Sequence, residues 1–224
     1  MASRMTSDRH DGLAYTLAEP DGEPLGGVVV LHGAGSCKEN HLDFAVACAA
    51  HGLAAIAFDQ RGHGASAGAL GAGAIDDVAA IAALLPGRGP VFLRGSSMGG
   101  FLALAAAQRA AARAVVAICP ASAQLLRDGL REGRFEFRAD REALQSLVAA
   151  ADIERAAGLL GPDLMLVHAQ GDERVPVEHS EWLHAHAAGS RFIRVPGGDH
   201  RSAQHDTGLQ SEALRFLLER CAGA

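Results

Sequence analysis

Six short runs of consecutive apolar residues recur along the chain: VVVLHG (28–33), LAAIAFD (53–59), VFLRG (91–95), AVVAIC (114–119), LMLVHA (164–169) and RFIRVPG (191–197). Because these runs are continuous and do not alternate with polar residues, strands built from them are covered on both faces. Ala- and Leu-rich stretches of helical length lie between them, near 40–51, 72–85, 98–111, 176–188 and 205–221. Strands and helices alternating in this way build a mostly parallel sheet with helices on both faces, so the fold class is α/β. An edge strand near 13–18 comes first, followed by a turn carrying Pro20, Gly22, Pro24, Gly26 and Gly27.

One segment departs from this rhythm. From Pro120 to about Pro162 the chain reads as polar amphipathic helices, ASAQLLRDGLREG and DREALQSLVAAADIERAAGLL, joined by RFEFRAD. That is too long for an ordinary connection between strands, and it predicts a helical cap at about 121–160 within one domain spanning 1–224. A surface helix pair without a binding role is the alternative. Leu125, Leu126 and Leu130, then Leu144, Leu147 and Val148, recur at the spacing of an amphipathic face. Phe135 and Phe137 alternate, which turns both rings to one side. They are candidate substrate-binding residues, and anchoring the insertion to the core is an equal reading.

Composition narrows the function classes. A chain of 224 residues that is 49% hydrophobic and 21% charged is globular, neither disordered nor coiled coil. A net charge of −6 without a basic cluster gives no footprint for nucleic acid or an anionic membrane, which leaves small molecules as partners. The N-terminus has no apolar stretch of signal-peptide length, and no segment offers about 18 strongly apolar residues in a row, so a cytoplasmic protein is expected. Cys37, Cys48, Cys119 and Cys221 are scattered with no C-x-x-C pair, which points to reduced thiols rather than a zinc site or disulfides. His184 and His186 fall two apart on a predicted helix and face different directions, so no metal is expected. Oligomeric state leaves no mark in the sequence.

RGSSMGG, at 94–100, follows the apolar run 91–93 and precedes a strong helix former. A strand-to-helix turn tight enough to expose a strained side chain requires small residues two positions before and after it. Around Ser97 those are Gly95 and Gly99; around Ser96 they would be Arg94 and Met98. Ser97 therefore sits at the apex, beside the free N–H groups of a helix N-terminus. A serine hydroxyl needs a histidine base oriented by a carboxylate to act as a nucleophile. Open α/β sheets gather such groups past the carboxyl ends of their strands. QGDERVP supplies Asp172 there, and GGDHRS supplies His200.

Read together, HGAGSCKEN, DQRGHGAS, GSSMGG, GDERVP and GGDHR resemble the α/β-hydrolase family over nearly the whole chain. They correspond to its oxyanion loop, D-x-R-G-H-G loop, nucleophile elbow, acid turn and histidine loop. The size and short insertion look most like the serine carboxylesterase, acylglycerol lipase and serine aminopeptidase-like branch. The resemblance implies Ser97 as nucleophile, Asp172 as acid and His200 as base, with the N–H groups of Ala34 and Met98 as the oxyanion hole. It implies hydrolysis of soluble small or medium carboxylic esters without a cofactor. A peptidase or amidase of the same architecture, or a non-catalytic ligand-binding relative, are the alternatives. Asp199 and Glu173 rival Asp172 as the acid. His32 and His63 read as braces for the loops that carry them.

Overall fold

The computed structural model describes residues 4–87 and 89–221. Eight strands form one sheet in the order β1-β2-β4-β3-β5-β6-β7-β8. They are β1 (Arg4–His10), β2 (Leu13–Glu19), β3 (Gly27–Leu31), β4 (Ala54–Phe58), β5 (Val91–Ser96), β6 (Ala114–Ile118), β7 (Leu164–Ala169) and β8 (Arg191–Val195). From β3 to β8 every pairing is parallel, and β1 and β2 join antiparallel at one edge. Every residue of β3, β4, β6 and β7 is buried, as the continuous apolar runs require.

The strand β1 is absent from the sequence reading because RMTSDRH has no apolar face; each of its residues is exposed. It forms through a two-residue hairpin at Asp11 and Gly12, whose φ values of 47° and 78° suit the turn that matches strand twist.

Helices cover both faces. One carries α1 (Leu42–Ala50), and near the chain's end α8 (Ser202–His205) and α9 (Thr207–Leu218); Phe44, Cys48, Phe216 and Leu217 pack there on Val28, Val30 and Phe92. The opposite face carries α2 (Ala74–Ala82), α3 (Met98–Ala106), α6 (Ile153–Leu160) and α7 (Val177–His186), packed on Val29, Leu31, Leu93 and Val115.

Between β6 and β7 the chain forms α4 (Ala123–Arg131), α5 (Arg141–Ala150) and then α6. The uninterrupted helix expected over 140–160 is thus two helices. Ala151 turns extended, and the Asp152 carboxylate caps the new start by accepting the Arg155 N–H at 2.9 Å. The helix α6 packs against α3 and α7 as the ordinary crossover between β6 and β7. The helices α4 and α5 pack on each other and turn Leu126, Leu130, Leu144 and Val148 inward.

The joining segment is stitched to the loop after β4. Leu70 donates its N–H to Arg138 O at 3.0 Å, and Asp140 returns one to Leu70 O at 2.9 Å. Gly62, at φ 80°, passes so close to Arg138 O that a Cβ there would lie 2.0 Å from it.

Candidate active site

The strand β5 ends at Ser96, α3 starts at Met98, and Ser97 makes the turn between them at φ 53° and ψ −120°. A side chain there is strained and persists only where its surroundings hold it. Ser97 N–H donates to Ile118 O at 2.9 Å, while Ser97 O accepts from Phe101 N–H at 3.1 Å and Ala121 N–H at 3.0 Å. A Cβ on Gly95 would lie 2.1 Å from Gly99 O, and one on Gly99 would lie 2.4 Å from Leu31 O and 2.5 Å from His32 O. The steric requirement on the flanking glycines is met by backbone atoms that cannot move aside. Ser96, in contrast, is buried at the strand end, with a hydroxyl that has no partner among the described residues.

Asp172 lies in the turn after β7. Its Oδ1 accepts the N–H groups of Arg174 at 2.8 Å and Val175 at 2.9 Å, and its Oδ2 accepts from His200 Nδ1 at 2.7 Å. Burial alone would raise its pKa. Hydrogen bonds from His168, His200 and the two amides outweigh burial and hold the carboxyl well below the usual carboxylate range. With Nδ1 donating, His200 keeps Nε2 as an acceptor. Ser97 and His200 line one cavity of about 960 Å³ but are not hydrogen-bonded to each other in this structure. Such bonds commonly close only when substrate binds. Asp199 accepts the N–H groups of Arg201 and Ser202 and does not engage His200; Glu173 is exposed at the cavity rim.

The loop after β3 runs past the elbow so closely that a Cβ on Gly33 would lie 3.2 Å from Ser97 Cβ. Its shape is fixed by His32, which donates Nδ1–H to Gly33 O at 2.8 Å and accepts Gln60 N–H at Nε2 at 3.1 Å. Burial pushes the His32 pKa down to about 4, so the ring is neutral. The N–H groups of Ala34 and Met98 have no acceptor among the described residues.

A buried ion pair ties this loop to the one after β4. Asp59 Oδ1 accepts Lys38 N–H at 2.7 Å, and Oδ2 accepts Lys38 Nζ at 3.1 Å and Ala65 N–H at 2.8 Å. Lys38 escaped the sequence reading, although a lone lysine among arginines was a signal.

Leu125, Leu126 and Phe135 form an apolar wall of the cavity. Phe137 does not line it. Its ring stacks on Phe135 at 5.4 Å and lies 4.3 Å from His63, so the two rings share a side as their alternation predicts.

Two further groups crowd Asp172. The Cys119, Asp172 and His200 ligand atoms lie within 4.8 Å of one another. Burial pushes the Cys119 thiol up to about 12, so it stays protonated, and the 2.7 Å Asp172–His200 contact leaves no room for an ion between them. Behind Asp172, His168 Nδ1 meets Ser180 Oγ at 2.7 Å, a second Ser–His pair that the sequence reading did not find. Both residues are fully buried, so no substrate reaches Ser180.

Residues 22–131 match the family described as Serine aminopeptidase, S33. No curated protein matches the sequence. Among solved structures, Est1E from Butyrivibrio proteoclasticus with bound ferulic acid superposes with a TM-score of 0.75 at 21% identity, covering 97% of this chain and 99% of that one. TT1662 from Thermus thermophilus gives 0.72 at 21% identity and covers all of both chains. XC6422 from Xanthomonas campestris, described as an a/b serine hydrolase without lid, gives 0.68 at 18% identity over 97% of this chain and 94% of that one. At these identities the likeness concerns the fold.

Proposed function

We propose that this chain, which has the α/β-hydrolase fold and matches the Serine aminopeptidase, S33 model over residues 22–131, is a serine hydrolase that cleaves carboxylic esters of small or medium size through an acyl-enzyme. The observation that carries this reading is Ser97, held in a strained turn by backbone contacts at Gly95 and Gly99, at the same cavity as a histidine already bonded to a carboxylate.

In this mechanism His200 Nε2 takes the Ser97 proton as Oγ attacks the ester carbonyl. The negative oxygen that forms is received by the N–H groups of Ala34 and Met98, each worth about 3 kcal/mol where comparable donors have been removed. Asp172 fixes the ring with Nδ1 donating and stabilises the imidazolium. His200 then protonates the departing alcohol, and water activated by the same ring releases the acid. Every step uses groups of this chain, so the proposal includes no cofactor.

Phe135 and the leucines of α4 form the acyl wall in this reading, whereas Phe137 supports Phe135 and the loop at His63. An aminopeptidase would require a carboxylate anchor for a substrate ammonium group. The acidic cavity residues Glu136 and Glu173 are exposed at the rim, with Arg134 and Arg174 also lining the cavity, which favours the ester reading. The four cysteines are free, in keeping with a cytoplasmic site of action on a small molecule. No helix among the described residues is long and apolar enough to cross a membrane.

A p-nitrophenyl ester series tests the proposal. Each buried methylene contributes about 0.8 kcal/mol, so kcat/KM rises over the first few acyl carbons and falls once the chain outgrows the cavity. Ser97→Ala abolishes turnover and Ser96→Ala keeps most of it. Equal losses in the two variants, or a monotonic rise through palmitate, contradict the reading.

A further inference from the structure

Asp172 is gripped from two sides, and only one of them faces the cavity. On the buried side lies His168, within β7 and fully buried, with Nε2 2.9 Å from Val175 O and 3.4 Å from Asp172 Oδ2. A carbonyl oxygen only accepts, so Nε2 carries the hydrogen. In the neutral ring Nδ1 is then an acceptor, and Ser180 Oγ–H donates to it at 2.7 Å. In the neutral ring the bonds run from Ser180 to His168 and from His168 Nε2–H to Val175 O, and the Asp172 Oδ2 that receives His200 Nδ1–H lies 3.4 Å from the same Nε2.

We infer that His168 is a positioning residue for the hydrolysis, holding the Asp172 carboxylate from behind so that its Oδ2 lies in line with His200, and that Ser180 sets the tautomer in which His168 can do this. The inference rests on the triad reading above. Its physical content is that Oδ2 accepts the His200 N–H at 2.7 Å with the buried His168 Nε2–H 3.4 Å behind it, while Oδ1 is held by two backbone N–H groups. Removing the rear donor has two effects. The carboxylate gains freedom to swing, which disorders the base. It also becomes a better acceptor for the single N–H that remains, so His200 retains its proton more strongly.

Other groups near the pair do not substitute for this contact. Cys119, just past β6, stays protonated through burial, and His179 on α7 is pushed down to about 4 by burial and is neutral. Asp199 is held below the usual carboxylate range by the Arg201 and Ser202 amides, which its carboxylate faces instead of His200. Glu173, Arg174 and Arg201 stand on the solvent side and are unchanged by a substitution behind the carboxylate.

The test is the pH profile of ester turnover for wild type, His168→Phe, His168→Gln and Ser180→Ala, with thermal melts to establish folding. A displaced working group costs about 10- to 100-fold, and His168→Phe is expected to lose this much in kcat with little change in KM. The acid limb of its kcat/KM profile moves to higher pH. His168→Gln, whose amide can donate to the same oxygen, recovers most of the loss. Ser180→Ala moves the limb in the same direction by less, and it decides the matter should His168→Phe not fold.

An unmoved limb in every folded variant, or a glutamine no better than phenylalanine, overturns the inference. Fluorophosphonate labelling of wild type separates the two levels. A label on Ser97 with an unmoved limb removes the role of His168 alone, whereas no label on Ser97 removes the hydrolase reading itself.

Discussion

Gly99→Ala is the sharpest perturbation of the elbow. The added Cβ would lie 2.4 Å from Leu31 O and 2.5 Å from His32 O, whereas an ordinary contact is at least 3.4 Å, so about an ångström of movement is needed. Both oxygens belong to backbone at the end of a central strand, and neither can rotate away. Overpacking typically costs about 1–3 kcal/mol, and contact with two fixed backbone atoms places this case near about 3 kcal/mol. For a chain of this size, each kcal/mol lowers Tm by about 2–4 °C, so the variant should melt about 6–12 °C below wild type. The displacement also moves Ser97, and a 1 Å error in a reacting atom costs about 100-fold in rate. Gly73→Ala is the control: Gly73 sits at φ −78° with nothing within 4 Å of the added atom. Differential scanning calorimetry and ester turnover on the three proteins provide the measurement. An active Gly99→Ala protein melting within about 2 °C of wild type would refute the steric account.

Asp172→Asn should lower kcat by about 10⁴-fold while leaving Tm near wild type, because the histidine loses the partner that sets its tautomer; Asp199→Asn should cost far less, and the reverse ranking in steady-state kinetics would move the acid to Asp199. Asp59→Ala leaves Lys38, a side chain only 9% exposed, without its buried carboxylate, and should cost about 3 kcal/mol in urea unfolding; an unchanged midpoint counts against the tie between the two loops. Burial pushes His32 down to about 4 and His41 to about 3, while each titrates near 6.5 when unfolded. The unfolded chain therefore binds more protons below pH 6.5, and this part of the stability is complete above that pH and lost progressively as pH falls toward 4. Tm should fall over that window, and His41→Leu, which removes two ring nitrogens that have no partner among the described residues, should flatten the slope.

The interior strands were legible because a strand covered on both faces must be apolar at every position, and runs such as VVVL and LMLV have no other economical use. The elbow was legible because its pattern is local: Gly95 and Gly99 flank Ser97 at two residues on either side, although the atoms that crowd Gly99, Leu31 O and His32 O, come from β3 and the loop after it. Asp172 and His200 could be read as turn residues past consecutive strands, since parallel strands bring their carboxyl ends to one edge. What stayed hidden depends on partners far away in sequence. RMTSDRH becomes a strand only through β2, and its sole local mark is Asp11-Gly12. The break between α5 and α6 lies inside an unbroken apolar spacing, where Asp152 was the only sign. His168 sits in an apolar run like any core residue, and its contact with Asp172 exists only once the turn after β7 folds back on the strand. Lys38 acquires its meaning from Asp59, on a different strand end.

The most direct test of the central claim is to treat the protein with a fluorophosphonate probe and locate the adduct by peptide mass spectrometry. A single adduct is expected on the peptide carrying Ser97, lost in Ser97→Ala and kept in Ser96→Ala. An adduct on any other serine, or undiminished labelling of Ser97→Ala, would contradict it.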